Sequence, residues 1–267
     1  MTNAQIARQT ALITGASGGI GEALARIFAR ERYDLVLLAR SEDKLRALSD
    51  ELDRQYGGHT AVLAADLADP EVPRRVVAEL DRRGLIVDVL VNNAGFATYG
   101  LFAELDLGGE LRLLQVNVVA LTHLTRLLLP GMITRRRGRI LNVASTAAFM
   151  PGPLMAVYYA SKAYVLSFSE AIGEELRGTG VSVTALCPGP TSTGFQARAG
   201  MQESRLVRGR RIMDVTTVAE AGFAGLIAGR PLVIPGLMNR IQTFLPRLLP
   251  RAILPPFVRN AQERSHP

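Results

Sequence analysis

Short apolar runs, rich in leucine and β-branched residues, alternate along the chain with longer segments whose apolar positions recur at helical spacing. The short runs cover 10–14, 34–39, 60–65, 87–91, 139–144, 181–186 and 232–234, and each predicts a strand. Several are apolar throughout instead of alternating, as expected of strands covered on both faces in a parallel sheet. The longer segments predict helices over 20–30, 42–56, 71–82, 110–133, 155–177 and 218–228. Strand and helix take turns, so the expected fold is α/β: a single doubly wound parallel sheet of about seven strands with helices on both faces. Ser41 is placed to cap the second helix, Asp69-Pro70 to open the third, and Thr217 with Glu220 reads as a capping box. Ligands of such a sheet lie beyond the carboxyl ends of the strands, where the chain reverses its winding.

Composition narrows the class. With 267 residues, 48% hydrophobic and 21% charged, the chain can bury a large core, and no Pro/Gly/Ser linker separates halves. The expectation is one domain over 1–236, with 237–267 as a basic, apolar extension of it. The single Cys187 excludes an intramolecular disulfide and reads as a small buried hydrophobe. Residues 1–9 lack the apolar stretch of a secretory signal, and 140–161, uncharged but broken by Asn142, Pro151, Gly152 and Pro153, makes a poor spanning helix. A cytoplasmic location without a transmembrane segment is therefore expected.

The net charge of +7 and the cluster Arg135, Arg136, Arg137 and Arg139 invite a nucleic-acid reading. The cluster follows the apolar run ending at Ile133, where cations suit the end of a helix dipole, and no aromatic residues interleave with it. No nucleic-acid partner is expected, and no metal.

Candidate chemistry falls at strand ends. Thr14-Gly15-Ala16-Ser17-Gly18-Gly19-Ile20-Gly21 joins the first strand to the first helix, and Gly15, Ser17, Gly19, Ile20 and Gly21 would form a turn whose backbone N–H groups face a pyrophosphate. At the end of the second strand, Ala39-Arg40 stands where an NAD site usually presents a carboxylate to the ribose 2′-hydroxyl. A carboxylate would repel a 2′-phosphate and a guanidinium would bind it, so NADP(H) is preferred, with NAD(H) as the lesser option. Asp66 and Leu67 end the third strand and Asn93, Ala94 and Gly95 follow the fourth, in reach of adenine and ribose. Pro188, Gly189, Thr191 and Thr193 follow the sixth strand, near where a nicotinamide amide would lie.

Tyr158 and Lys162 are four apart in a helical segment and so share a face. An ammonium beside a phenol favours the phenolate, which suits a tyrosine to proton transfer. Tyr159 is only three from Lys162, so spacing leaves both tyrosines open. Ser145, just past the fifth strand, is placed to hold a carbonyl oxygen, and Asn117, polar among Val116, Val118 and Val119, implies a buried polar role.

Taken together, Thr14 to Gly21, Asp66-Leu67, Asn92 to Gly95, Asn117, Ser145, Tyr158 to Lys162 and Pro188-Gly189 give the chain, over roughly residues 7–235, a close resemblance to the short-chain dehydrogenase/reductase superfamily, which has the Rossmann fold. The resemblance implies an NADP(H)-dependent oxidoreductase acting on a carbonyl/alcohol pair. It selects Tyr158 as the general acid/base, gives Lys162 to the nicotinamide ribose and to the acidity of Tyr158, Ser145 to the carbonyl, and Asn117 to a relay water. It also suggests a homodimer or homotetramer, and a likeness to lipid- and steroid-active branches suggests an apolar substrate. Substrate choice would fall to 96–99, 149–154 and 194–214, the last expected to be a mobile flap. A non-catalytic NADP-binding sensor or scaffold with the same fold is the competing reading.

The tail from Arg230 differs in composition. No acidic residue lies between Glu220 and Glu263, five arginines punctuate apolar runs, and Pro246, Pro250, Pro255 and Pro256 predict short helical pieces. Such a segment suits peripheral contact with an anionic membrane, an amphipathic substrate tail or a subunit interface.

Overall fold

A computed structural model describes residues 8–195 and 212–263. Seven strands, β1 (Thr10–Thr14), β2 (Asp34–Ala39), β3 (Thr60–Ala64), β4 (Val87–Asn92), β5 (Gly138–Val143), β6 (Val181–Leu186) and β7 (Leu232–Val233), form one sheet in the order β3-β2-β1-β4-β5-β6-β7. Every pairing is parallel. The apolar runs are explained by two-sided burial: Ala11 and Ile13 of β1 join the core on one face and Leu12 the core on the other, and Leu35 and Leu37 oppose Val36 and Leu38 in β2 in the same way.

Helices α1 (Gly19–Arg30), α2 (Glu42–Tyr56) and α7 (Val215–Ile227) fill the first core. Phe28 of α1 is fully buried and meets the edges of Tyr33 and Phe223, each with ring centroids 5.0 Å away. That burial and edge packing stabilise the α1/α7 seam by about 2–3 kcal/mol. Helices α3 (Val72–Arg82) and α5 (Leu121–Thr134) fill the second, and α6 (Ala156–Glu175) reaches its edge with Ile172.

Several expectations about elements need correction. The helix expected over 110–133 starts earlier, as α4 (Leu107–Leu114), and passes through a π-helical turn (Gln115–Ala120) into α5. Its N-cap is Asp106, which accepts from the amides of Gly108 and Gly109. By length and apolarity the continuous segment Leu107–Thr134 could cross a membrane, but here it covers the sheet, with Leu113, Leu124 and Met132 in the core. The capping box at Thr217 and Glu220 is absent: Asp214 caps α7 by accepting from the Thr217 amide, and Glu220 pairs instead with Arg30 at 3.6 Å. Ser41 occupies the N-cap of α2 without a side-chain bond to the helix, and α3 starts at Val72, after Asp69 has accepted from the Glu71 amide.

Three arginines of the cluster are bonded into the fold. Arg137 grips the buried Asp88 carboxylate at 2.8 and 3.0 Å, while Arg135 and Arg136 donate to the carbonyls of Val87 and Gly178. The tail folds into short pieces, α8 (Leu237–Phe244), two 3-10 turns and α9 (Leu254–Gln262), as its prolines predict.

Candidate active site

The sheet reverses its winding between β1 and β4, and a cleft of about 1020 Å³ opens beyond the carboxyl ends of the strands. Gly15, Ser17, Gly19, Ile20, Arg40, Asp66, Leu67, Asn93, Ala94, Gly95, Ser145, Tyr158, Lys162, Pro188, Gly189, Thr191 and Thr193 all line it. Residues scattered over most of the sequence thus converge because parallel strands end on one rim.

Two of the expected site residues sit behind the wall. Gly21 is buried in α1, and a β-carbon there would lie 2.4 Å from both the Gly15 carbonyl oxygen and the Asn93 amide nitrogen. Its hydrogen side chain is what lets α1 start against the turn. Asn117 is buried in the π-helical turn, accepts from the Phe96 amide at 3.1 Å, and donates to the Phe96 carbonyl at 3.0 Å and to Ser161 at 3.1 Å. The carboxamide fastens the loop after β4 to α6.

The near end of the cleft fits a dinucleotide. The N-terminus of α1 has no side-chain cap, so the first helical amides are left for an anion at the wall formed by Gly19 and Ile20. Arg40 is 75% exposed and 4.0 Å from Asp66, whose other oxygen accepts from the Ala68 amide. Ser41 and Lys44 line the same rim. The sequence reading missed them, although Lys44 lies four residues after Arg40 at the start of α2, a spacing that brings the two cations to one corner.

Tyr158 and Lys162 stack on the inner face of α6, with the Lys162 nitrogen 5.8 Å from the centre of the Tyr158 ring. Burial raises the Tyr158 pKa above the usual phenol value, and a hydrogen bond with Ser145 opposes the shift. Burial also lowers Lys162 to about 8, and its ammonium donates to the Val143 carbonyl at 2.8 Å. Ser145 accepts from the Ala147 amide at 3.1 Å, which fixes its oxygen at the end of β5. Tyr159 also lines the cleft, but burial pushes its hydroxyl up to about 12, and the group that opposes this shift is Gln262 of α9, not Ser145. Cys187, fully buried, is pushed up to about 12 by desolvation and behaves as a hydrophobe.

The far end of the cleft is apolar. Phe96, Met150, Met155 and Phe195 line it together with Leu245, Leu249, Ile253, Leu254, Phe257 and Val258 from the tail. Asn239 of α8 fits over Gly189 so closely that a β-carbon there would meet its side-chain oxygen at 2.5 Å. Leu254, Val258 and Gln262 turn inward from α9, Val258 packs in one cluster with Tyr158 and Tyr159, and the Tyr99 hydroxyl donates to the Gln262 carbonyl at 2.7 Å. The tail is thus fastened on both sides of the cleft. Sequence spacing carries no signal for this wall, since its partners lie far away in the chain. Of the expected flap over 194–214, residues 196–211 lie outside the described residues.

The family model described as short chain dehydrogenase matches residues 9–204. A short chain dehydrogenase of Pseudocercospora fijiensis is 37% identical over 197 residues, which are 72% of this chain and 63% of that protein, less than two thirds of its length. The very-long-chain 3-oxoacyl-CoA reductase of Mus musculus is 31% identical over 259 residues, 95% of this chain and 81% of the relative. Among solved structures, a short-chain dehydrogenase from Sphingobium yanoikuyae in complex with NADPH superposes with a TM-score of 0.80 at 34% identity, over 91% of this chain and 97% of that one.

Proposed function

The chain belongs to the short-chain dehydrogenase family, and on that premise we propose that it is an oxidoreductase moving hydride between NADP(H) and a carbonyl or alcohol, with Tyr158 as general acid and base. The observation that carries the reading is the meeting of Ser145 with the buried Tyr158 and Lys162 on one wall of the cleft that also receives the glycine-rich turn. Arg40, Ser41 and Lys44 favour NADP(H) over NAD(H), since a 2′-phosphate placed among them would gain two cations and meet one exposed carboxylate, Asp66. The NADPH-bound relative supports the same choice.

When bound, the reduced nicotinamide supplies the hydride. In reduction, the Tyr158 hydroxyl donates its proton to the substrate oxygen, and Ser145 orients that oxygen by a second hydrogen bond. Burial keeps the phenol protonated at neutral pH, the state a donor needs. In oxidation, the Lys162 ammonium opposes the burial penalty on the phenolate. Asn117 holds Phe96 and Ser161 in place and, on this reading, a relay water beside them.

The apolar far wall supports a lipid-like ketone as substrate, and the mouse relative named for a very-long-chain acyl substrate points the same way. The burial of Leu254, and of Val258 in one cluster with Tyr158 and Tyr159 of α6, supports a single domain, in which 237–267 extends 1–236. Leu107, Leu111 and Leu114 on α4, with Tyr164 on α6, expose an apolar face that supports a homo-oligomer.

The test is a panel of ketones from short to long chain with NADPH, followed as loss of reduced-nicotinamide absorbance. Apolar ketones should turn over, and Tyr158→Phe should lower the rate about 100-fold or more while NADPH still binds. NADPH binding without turnover on any ketone or alcohol would make the chain a cofactor-binding sensor.

A further inference from the structure

The outer face of the tail combines three properties. Leu237, Ile241, Phe244 and Leu248 follow one another at helical spacing along α8 and the turn after it, and Leu237, Leu248 and Phe257 are 74%, 68% and 73% exposed. The only charges among them are positive: Arg240, Arg247, Arg251 and Arg259 lie in a stretch from Ala221 to Gln262 without an acidic residue. Arg247 and Arg251 make no ion pair with a described residue. Finally, Leu245, Leu249, Ile253 and Phe257 are exposed and also line the cleft, so the apolar surface runs without a break into its mouth.

We propose that this face docks on an anionic lipid bilayer with the cleft mouth turned toward the membrane, so that the apolar substrate passes between bilayer and active site without crossing water. Exposed apolar side chains interspersed with unpaired arginines complement a surface of acidic headgroups over acyl chains. A second copy of the chain on the same face would cover the mouth, whereas a bilayer both supplies and receives a lipid-like molecule. The substrate path rests on the reading of the cleft as a ketone site; the docking itself does not.

The experiment uses the full chain and vesicles of phosphatidylcholine alone or with about a third phosphatidylglycerol, sedimented at low and high salt. Binding should require the anionic lipid and weaken as salt screens it. Leu237→Glu/Leu248→Glu, at positions that do not line the cleft, should lower vesicle binding at least tenfold, keep NADPH binding and reduction of a water-soluble ketone, and slow reduction of a long-chain ketone dissolved in the vesicles. Arg247→Gln/Arg251→Gln should remove the preference for anionic lipid. Failure of the full chain to sediment with anionic vesicles, or unchanged binding by the double glutamate variant, overturns the proposal. A smaller assembly in solution after the glutamate changes assigns the face to a second copy and overturns it too. Vesicle binding without turnover of any ketone would leave the docking standing and remove the oxidoreductase reading.

Discussion

Tyr158 and Tyr159 are consecutive, both buried, both raised in pKa and both on the cleft wall, yet Ser145 opposes the shift of one and Gln262 that of the other. Tyr159→Phe should therefore keep most of the turnover that Tyr158→Phe loses, read as initial rates on the same ketone. Arg40→Ala should weaken NADPH by about 1.5–3 kcal/mol, the range for a hydrogen bond to a charged group, and leave NADH nearly unchanged. Titration of nicotinamide fluorescence measures both affinities, and equal losses would remove the 2′-phosphate from Arg40. Lys162 gives a prediction with a sign. Its pKa falls from 10.5 to about 8 on folding, so between these values the unfolded chain binds the extra proton and stability rises with pH. The contribution is complete above the upper value and is lost as pH falls through the lower one. Urea midpoints of the protein relative to Lys162→Met should therefore climb from pH 8 to pH 10, and a flat difference would contradict the assigned shift.

At the scale of elements, buried polar groups tie strands to helices. Asn92 at the end of β4 donates to Thr125 of α5 at 3.0 Å and to Asn142 of β5 at 2.9 Å, and Asn142 donates to Ser169 of α6 at 2.9 Å. Asn92 and Asn142 are register partners, so the chain of bonds holds the rim where Asn93 and Ser145 emerge. Asn142→Leu leaves Asn92 and Ser169 with unmet bonds and should cost about 1–3 kcal/mol for each group, measured by chemical denaturation. A cheaper change is Asp214→Ala, which removes the cap of α7 for about 1 kcal/mol. The helical periodicity pointed to a single uninterrupted helix over 110–133, but the π-helical turn adds a residue to one turn and rotates Asn117 into the protein. Hydrophobic spacing does not register that rotation, since Val116 and Ala120 remain buried through it.

At the scale of the whole molecule, the tail completes the cleft. Leu254 and Val258 are buried, and Val258 shares a cluster with Tyr158 and Tyr159 of α6, so Leu254→Ala/Val258→Ala should destabilise the entire chain by about 3–6 kcal/mol. Calorimetry should show one transition at a lower temperature. Two transitions, only one of them shifted, would separate the tail from the domain. The double variant should also relax the preference for long-chain over short-chain ketones, because it loosens the wall on which the chain of the substrate would lie.

The sequence alone determined the parallel α/β sheet, since two-sided burial leaves continuous apolar strands between amphipathic helices, and six of the seven strands start at the expected residue and end within one residue of the expected end. It also singled out residues that line the cleft, because glycines, Arg40, Ser145 and the Tyr158/Lys162 pair carry local signatures of spacing and residue type. Local pattern misjudged the helix starts at Leu107 and Val215, where Asp106 and Asp214 supply caps that compete with the apolar period. The tertiary structure decided which tyrosine faces Ser145 and gave Asn117 its partners at Phe96 and Ser161. It also turned the tail, whose composition had left three fates open, into a wall of the cleft. These outcomes depend on contacts between residues tens to more than a hundred positions apart, such as Tyr99 with Gln262, and no periodicity along one chain encodes such a contact.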